Sequence, residues 1–237
     1  MKGTIYMIPC PISEARELWD VLPRANYEVM NSLDYFIVEN VRSARRFLSK
    51  VGVERRIEEL EFVELNEHTT RTEEVERMLK PLLEGRSAGV ISEAGVPGVA
   101  DPGADIVALA HHHGIRVVPL VGPSSILMSV MASGLNGQSF AFVGYLPVKD
   151  GERERRIKAL ERRAVEERQA QLFIEAPYRN VKLFEVLLTT LSPKLRLTVA
   201  ADITSPDEYI RTLRVEEWRK ATMPNIAKRP TIFVLGI

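Results

Sequence analysis

The sequence holds a single cysteine, Cys10, which excludes an intrachain disulfide and a thiolate metal cluster. It has no excess of charge: Lys plus Arg and Asp plus Glu both number 32. That balance excludes a protein that grips nucleic acid by bulk charge alone, and it leaves room for a local basic patch. No apolar run approaches the roughly 18 residues that a membrane span needs. No secretory leader is visible, because Met1-Lys2 leads straight into a strand-like run. These absences predict a cytoplasmic protein that does not associate with membranes. What is present is 237 residues, 45% hydrophobic and 27% charged, with enough apolar material for one large α/β domain or two small ones.

Short apolar runs alternate with helical patterns along the first half. Gly3–Ile8, Tyr35–Val38, Phe62–Leu65, Ala88–Ile91 and Ile115–Leu120 read as strands. Ser13 is a candidate N-cap for a helix through Leu18 and Val21, and Val41–Lys50 reads as a second helix. Thr70–Leu83 opens on a capping-box pattern, Thr70-x-x-Glu73, and Ala104–His113 closes on Gly114. Strands that do not alternate in polarity imply a parallel sheet covered on both faces. In the second half, Ser124 offers a cap for Ile126–Ser133, and Phe140–Val143, Leu172–Glu175, Leu195–Ala201, Tyr209–Leu213 and Pro230–Gly236 read as strands. Gly144–Pro147 reads as a turn. Asp150–Arg168 reads as a mostly solvated helix and Val181–Leu191 as an amphipathic one. This half suggests a mixed sheet. The expected organisation is an N-terminal α/β domain over 1–120 and a C-terminal α/β domain over 121–237.

Three segments carry candidate chemistry. Ser92–Gly103 places five Gly or Pro in twelve residues directly after a buried-type strand, where open α/β sheets bind ligands. It is neither a phosphate loop nor a dinucleotide fingerprint, and a rigid connection with no ligand would share its composition. Gly122-Pro123-Ser124-Ser125 opens a helix, and its free N–H donors suit a carboxylate or ribose hydroxyls; a plain cap would look the same. Glu39–Arg46 also follows a strand. Arg42, Arg45 and Arg46 share one helical side, either as an anion site or as a solvated face. His111–His113 are consecutive, point about 100° apart and do not converge on one metal. Cys10 reads as a small buried side chain rather than a nucleophile.

In this order the segments resemble the tetrapyrrole methylase superfamily, the class III S-adenosylmethionine-dependent methyltransferases. The resemblance covers almost the whole chain. It is carried by Gly3–Tyr6 with Pro11, Glu39-x-x-Arg42-x-x-Arg45, and Ser92-Glu93-Ala94-Gly95-x-Pro97-x-x-x-Asp101-Pro102-Gly103. It continues through Val117–Leu120-x-Gly122-Pro123-Ser124, Ala132–Leu135, Phe142-x-Gly144-Tyr145-Leu146-Pro147-x-Lys149 and Glu175-Ala176-Pro177-x-Arg179. Within the superfamily the chain is similar to a branch that methylates a ribose 2′-hydroxyl of small-subunit ribosomal RNA. The resemblance implies S-adenosylmethionine bound in a cleft between two α/β domains, no metal, and a homodimer acting on ribosomal RNA or the small subunit. It also implies cofactor contacts at Pro11, Ala94, Gly95, Val96, Val99, Ser124, Ser125, Glu175, Ala201, Ile203 and Thr231.

The chain departs from that branch near the acceptor side. It has Ser13-Glu14-Ala15-Arg16 where an Ile-Gly-Asn-Leu-Glu-Asp segment is usual. It has Glu39-Asn40-Val41-Arg42 for Glu-Asp-Thr-Arg and Ser92-Glu93 for Ser-Asp. Methyl transfer to a hydroxyl benefits from alignment and a general base. Glu39 and Glu93 are the candidate catalytic carboxylates, and Arg42 and Arg45 the candidate holders of an anionic substrate. Two other readings stay open: a precorrin-type tetrapyrrole methylase, and a cofactor-binding protein with a different or lost acceptor.

Overall fold

A computed structural model describes residues 1–65, 72–101 and 103–237. The chain divides into two units, Met1–Ser124 and Ser125–Ile237. The first runs β1 (Thr4–Ile8), α1 (Leu18–Val21), α2 (Ala25–Ser32), β2 (Tyr35–Val38), α3 (Val41–Val51), β3 (Glu61–Glu64), α4 (Thr72–Leu83), β4 (Ala88–Ile91), α5 (Gly103–His112) and β5 (Arg116–Pro119). Its five strands lie in the order β3-β2-β4-β1-β5, all parallel. Successive strand residues point to opposite faces. Ile5, Met7, Ile37 and Val90 pack on Leu79, Leu82, Ile106 and Ala110 of α4 and α5. Ile8, Phe36, Val38 and Ile91 pack on Leu22, Met30, Leu48 and Val51 on the other side. With both faces covered, every residue of β2 and β4 is buried, which is why these strands carry no polar alternation.

The second unit runs α6 (Ser125–Ser133), β6 (Phe140–Tyr145), α7 (Asp150–Glu166), β7 (Ala170–Ile174), α8 (Asn180–Thr190), β8 (Arg196–Ala201), β9 (Tyr209–Arg214), α9 (Val215–Trp218) and β10 (Thr231–Gly236). Its five strands lie in the order β6-β7-β10-β8-β9. β6 and β7 are parallel, whereas β10 runs antiparallel to both neighbours and β8 antiparallel to β9. The sheet is therefore mixed, as the strand spacing implies. Ile157, Leu160, Leu183, Phe184 and Leu187 from α7 and α8 cover Phe173, Val199 and Phe233 on one face. Val130 of α6 meets Leu172, Ile232 and Val234 on the other.

Several local expectations are corrected. Ser13 does not cap a helix: its Oγ accepts Ala15 N–H at 3.2 Å in a surface turn, and the helix begins only at Leu18. Gly144 and Tyr145 belong to β6 rather than to a turn, with a register shift between Phe142 and Tyr145. Gly144 has φ +68°, which glycine adopts without strain and which forms the bulge. α7 is mostly exposed, as its charge pattern implies, but it has one buried face that the pattern did not show. It buries Ile157, Leu160 and Ala164, and it also takes Arg153 and Glu161 inward. Arg153 is 3% exposed and donates from Nε to Pro147 O at 2.9 Å, from Nη1 to Asp150 at 3.2 Å and from Nη2 to Val148 O. α2 has no counterpart in the pattern reading. The capping residue Thr70 and the loop residue Pro102 lie outside the described residues.

Candidate functional site

In a parallel sheet every strand ends on the same edge, so the loops after β1, β2 and β4 must gather there. The first and third are joined by backbone: Cys10 N–H donates to Gly95 O at 2.8 Å, and Gly95 N–H to Cys10 O at 3.1 Å. This bridge sets Pro11 beside Ala94. Burial pushes the Cys10 thiol up to about 12, so it stays protonated and is no nucleophile.

The Ser92–Gly103 loop is held by its own motif residues. Asp101 Oδ1 accepts Gly98 N–H at 2.8 Å and Gly103 N–H at 2.7 Å. Gly98 has φ +80°, and a Cβ at Gly103 would fall 2.8 Å from the same oxygen, so neither position accepts a side chain. Ala94 and Val99 are exposed, and Val96 is half-buried. The loop thus presents backbone and small apolar groups.

The structure brings both candidate carboxylates to this edge. Glu39 Oε2 accepts Glu93 N–H at 3.2 Å, and Glu93 Oε1 accepts the Ser43 hydroxyl at 3.1 Å. Asn40 Oδ1 caps α3 through Ser43 N–H at 3.0 Å, which fixes Ser43 in the first turn. Beside Glu93 lies a groove of about 280 Å³, whose polar lining includes Ser13, Arg16, Ser43, Arg46, Lys50 and Glu93. Arg42 and Arg45 do not line it: Arg42 is exposed elsewhere on α3, and Arg45 lies 5.3 Å above the Phe62 ring. Arg16 and Lys50 were not singled out by the motifs, although Lys50 stands four residues after Arg46 on the same helical side. Among the described residues no group of three or more metal-binding side chains forms.

The second unit gathers its candidates differently. β10 enters antiparallel, with Thr231 opposite Ala201 and Ile232 opposite Ile174. The start of β10 therefore lies beside the ends of β7 and β8, and Glu175, Thr231 and Ala201 line up along one sheet edge, all buried. Glu175 Oε1 accepts Ala176 N–H at 2.7 Å and Arg179 Nη2 at 2.6 Å. The hydrogen bond to Glu175 raises the Arg179 guanidinium above its ordinary value, so Arg179 stays charged. Asp202 has φ +48°, donates its N–H to Pro230 O at 2.9 Å and pairs with Arg229, which clips the Ala201–Ile203 turn to β10. Motif matching singled out neither Asp202 nor Arg229. The signal for Arg179 was its place four residues after Glu175. Ser124 ends the first unit and Ser125 opens α6; both are half-buried.

A five-stranded parallel sheet followed by a five-stranded mixed one is the fold of a known class of methylases. Residues 19–218 match the family described as Tetrapyrrole (Corrin/Porphyrin) Methylases, and the chain belongs to it. The resemblance read from the motifs therefore holds. The chain is also 34% identical over 212 residues to the Ribosomal RNA small subunit methyltransferase I of Mesorhizobium japonicum, covering 90% of this chain and 67% of that one. Among solved structures, the methyltransferase CobJ shares the fold with TM-score 0.60 at 18% identity, covering 99% of this chain and 94% of that one. A uroporphyrin-III C-methyl transferase from Thermus thermophilus, solved with S-adenyl homocysteine, does so with TM-score 0.54 at 16% identity, covering 99% and 97%.

Proposed function

We propose that this chain transfers a methyl group from S-adenosylmethionine to RNA, with a ribose 2′-hydroxyl of small-subunit ribosomal RNA as acceptor. The observation that carries this reading is the Glu39–Glu93–Ser43 cluster at the head of a groove lined by Arg16, Arg46 and Lys50. The relative from Mesorhizobium japonicum, named for ribosomal RNA, supports the acceptor class.

S-adenosylmethionine, when bound, supplies a sulfonium methyl that is already activated. The donor set suits its neutral adenosine: the Ala94–Val96 stretch offers uncharged backbone and small apolar groups. The residues of the first unit that would hold the cofactor are Pro11, Ala94, Gly95, Val96, Val99 and Ser124; the candidates of the second unit, taken by itself, are Ser125, Glu175, Ala201, Ile203 and Thr231. Of the two carboxylates, Glu93 lines the groove and Glu39 does not. Glu93 therefore takes the hydroxyl proton as general base, and Glu39 positions it by holding its backbone N–H. The same reading places the protein in the cytoplasm as a homodimer. Leu127 and Met131, one turn apart on α6 and 52% and 81% exposed, support self-association. Among the described residues no helix is long and apolar enough to cross a membrane.

Calorimetry with S-adenosylmethionine, then mass spectrometry of ribosomal RNA from cells with and without the gene, tests the reading. Cofactor binding and one ribose methyl lost with the gene are expected. Absence of cofactor binding, or methylation of uroporphyrinogen in place of RNA, overturns it.

A further inference from the structure

Arg46 and Lys50 stand one helical turn apart on α3, and both reach one carboxylate, that of Glu14, at 3.4 and 3.9 Å. Glu14 belongs to the surface turn that Ser13 Oγ closes, the segment where this chain departs from its branch. The three side chains are 52%, 51% and 74% exposed. Ion pairs this wet hold weakly and exchange readily. Helical rise sets Arg46 and Lys50 roughly 4.5 and 10.5 Å along α3 from Ser43, the partner of Glu93. The groove is therefore polarised, with a carboxylate at its head and two convergent cations along its wall. Arg16 lines the same groove.

We propose that Arg46 and Lys50 form a phosphate subsite for single-stranded RNA, and that Glu14 occupies it until a backbone phosphate displaces it. This rests on the methyl-transfer reading for its choice of substrate. A phosphodiester, like a carboxylate, shares one negative charge between two oxygens that a guanidinium grips in parallel, so a backbone phosphate fits the place that the exposed Glu14 carboxylate holds. The negative Glu93 keeps phosphates away from the head of the groove and leaves that place to a hydroxyl. Arg42 and Arg45 stand apart from this path, the latter engaged with Phe62.

Fluorescence anisotropy with a short labelled single-stranded oligoribonucleotide, between about 50 and 200 mM salt, tests it. The double variant Arg46→Gln, Lys50→Gln is expected to bind at least tenfold more weakly at low salt. Its slope of log K against log salt should fall by about 0.7, the value for one phosphate on a single strand. Glu14→Gln is expected to bind about two- to fivefold more tightly. Arg42→Gln, Arg45→Gln should keep the wild-type slope. Calorimetry with S-adenosylmethionine should give wild-type affinity for every variant. Wild-type RNA binding by the Arg46/Lys50 double variant, weakened binding by Glu14→Gln, or an equal loss in the Arg42/Arg45 variant overturns the subsite. RNA binding that obeys this pattern in a protein that methylates no RNA upholds the subsite and sinks the methyl-transfer reading instead.

Discussion

The two units build their candidate sites on opposite principles. In the parallel unit the site residues stand on loops after strand ends, held by side-chain-to-backbone bonds from Asp101 to Gly98 and Gly103 and from Glu39 to Glu93, and by the backbone bridge Cys10–Gly95. In the mixed unit Ala201 and Thr231 belong to the strands themselves and pair directly across the ladder. A loop site is adjustable without touching the core beneath it, whereas a site made of central strands shares the fate of the core. The departures from the branch pattern at Ser13–Arg16, Asn40 and Glu93 fall on the loops of the first unit.

The largest effect should come from Phe233→Ala. Phe233 is fully buried on β10 and stacks on Phe173 at 5.8 Å and Phe184 at 6.5 Å. A loss of about 3–5 kcal/mol in urea unfolding is expected, and cofactor affinity should fall with it. Cofactor affinity untouched by that loss would break the contrast. Asp101→Ala should cost about 1–3 kcal/mol of loop order by leaving two backbone donors without their acceptor. Amide exchange at Gly98 and Gly103 should quicken while exchange in β4 does not. A cooperative loss across the sheet would show that the loop is no separate layer.

A smaller effect belongs to the buried acid of α7. Burial works to raise the Glu161 carboxyl, but hydrogen bonds from Lys158 at 2.7 Å and Ser192 N–H at 3.0 Å hold it below its ordinary 4.5. A carboxyl depressed in the folded state contributes stability above its unfolded value and loses it as the pH falls through the folded one. Wild type should therefore lose more stability than Glu161→Gln as the pH drops from about 6 to about 3. Equal acid sensitivity would remove Glu161 from the second unit's framework. The smallest perturbation is chemical. With its thiol raised to about 12, Cys10 should react with iodoacetamide at pH 8 at least about a hundredfold more slowly folded than in denaturant. Fast labelling of the folded protein would mean that the Cys10–Gly95 bridge opens.

Much of the fold was legible because burial on two faces demands continuous apolar runs, as in Tyr35–Val38 and Ala88–Ile91. What escaped was polar material turned inward. α2 buries Asn26, whose Nδ2 donates to Val121 O at 2.9 Å, so its pattern lacks a clean apolar stripe. The buried face of α7 escaped because Arg153 and Glu161 spoil the same stripe. They become tolerable inside because the carbonyls of Pro147 and Val148, just before the helix, satisfy Arg153, and the amide of Ser192, 31 residues away, satisfies Glu161.

The sequence by itself determined the order of the strands and of every long helix but α2, the glycines and proline that shape the Ser92–Gly103 loop, and the family, because these depend on local backbone preference and on period. The tertiary structure alone decided which cations face the groove. Helical spacing puts Arg42, Arg45 and Arg46 on one side of α3, but it does not say what that side meets. Phe62 takes Arg45, while Glu14, 32 residues before Arg46, gathers Arg46 and Lys50. Side-chain partners so far apart along the chain are set by packing, and packing also determined that Glu93, not Glu39, lines the groove.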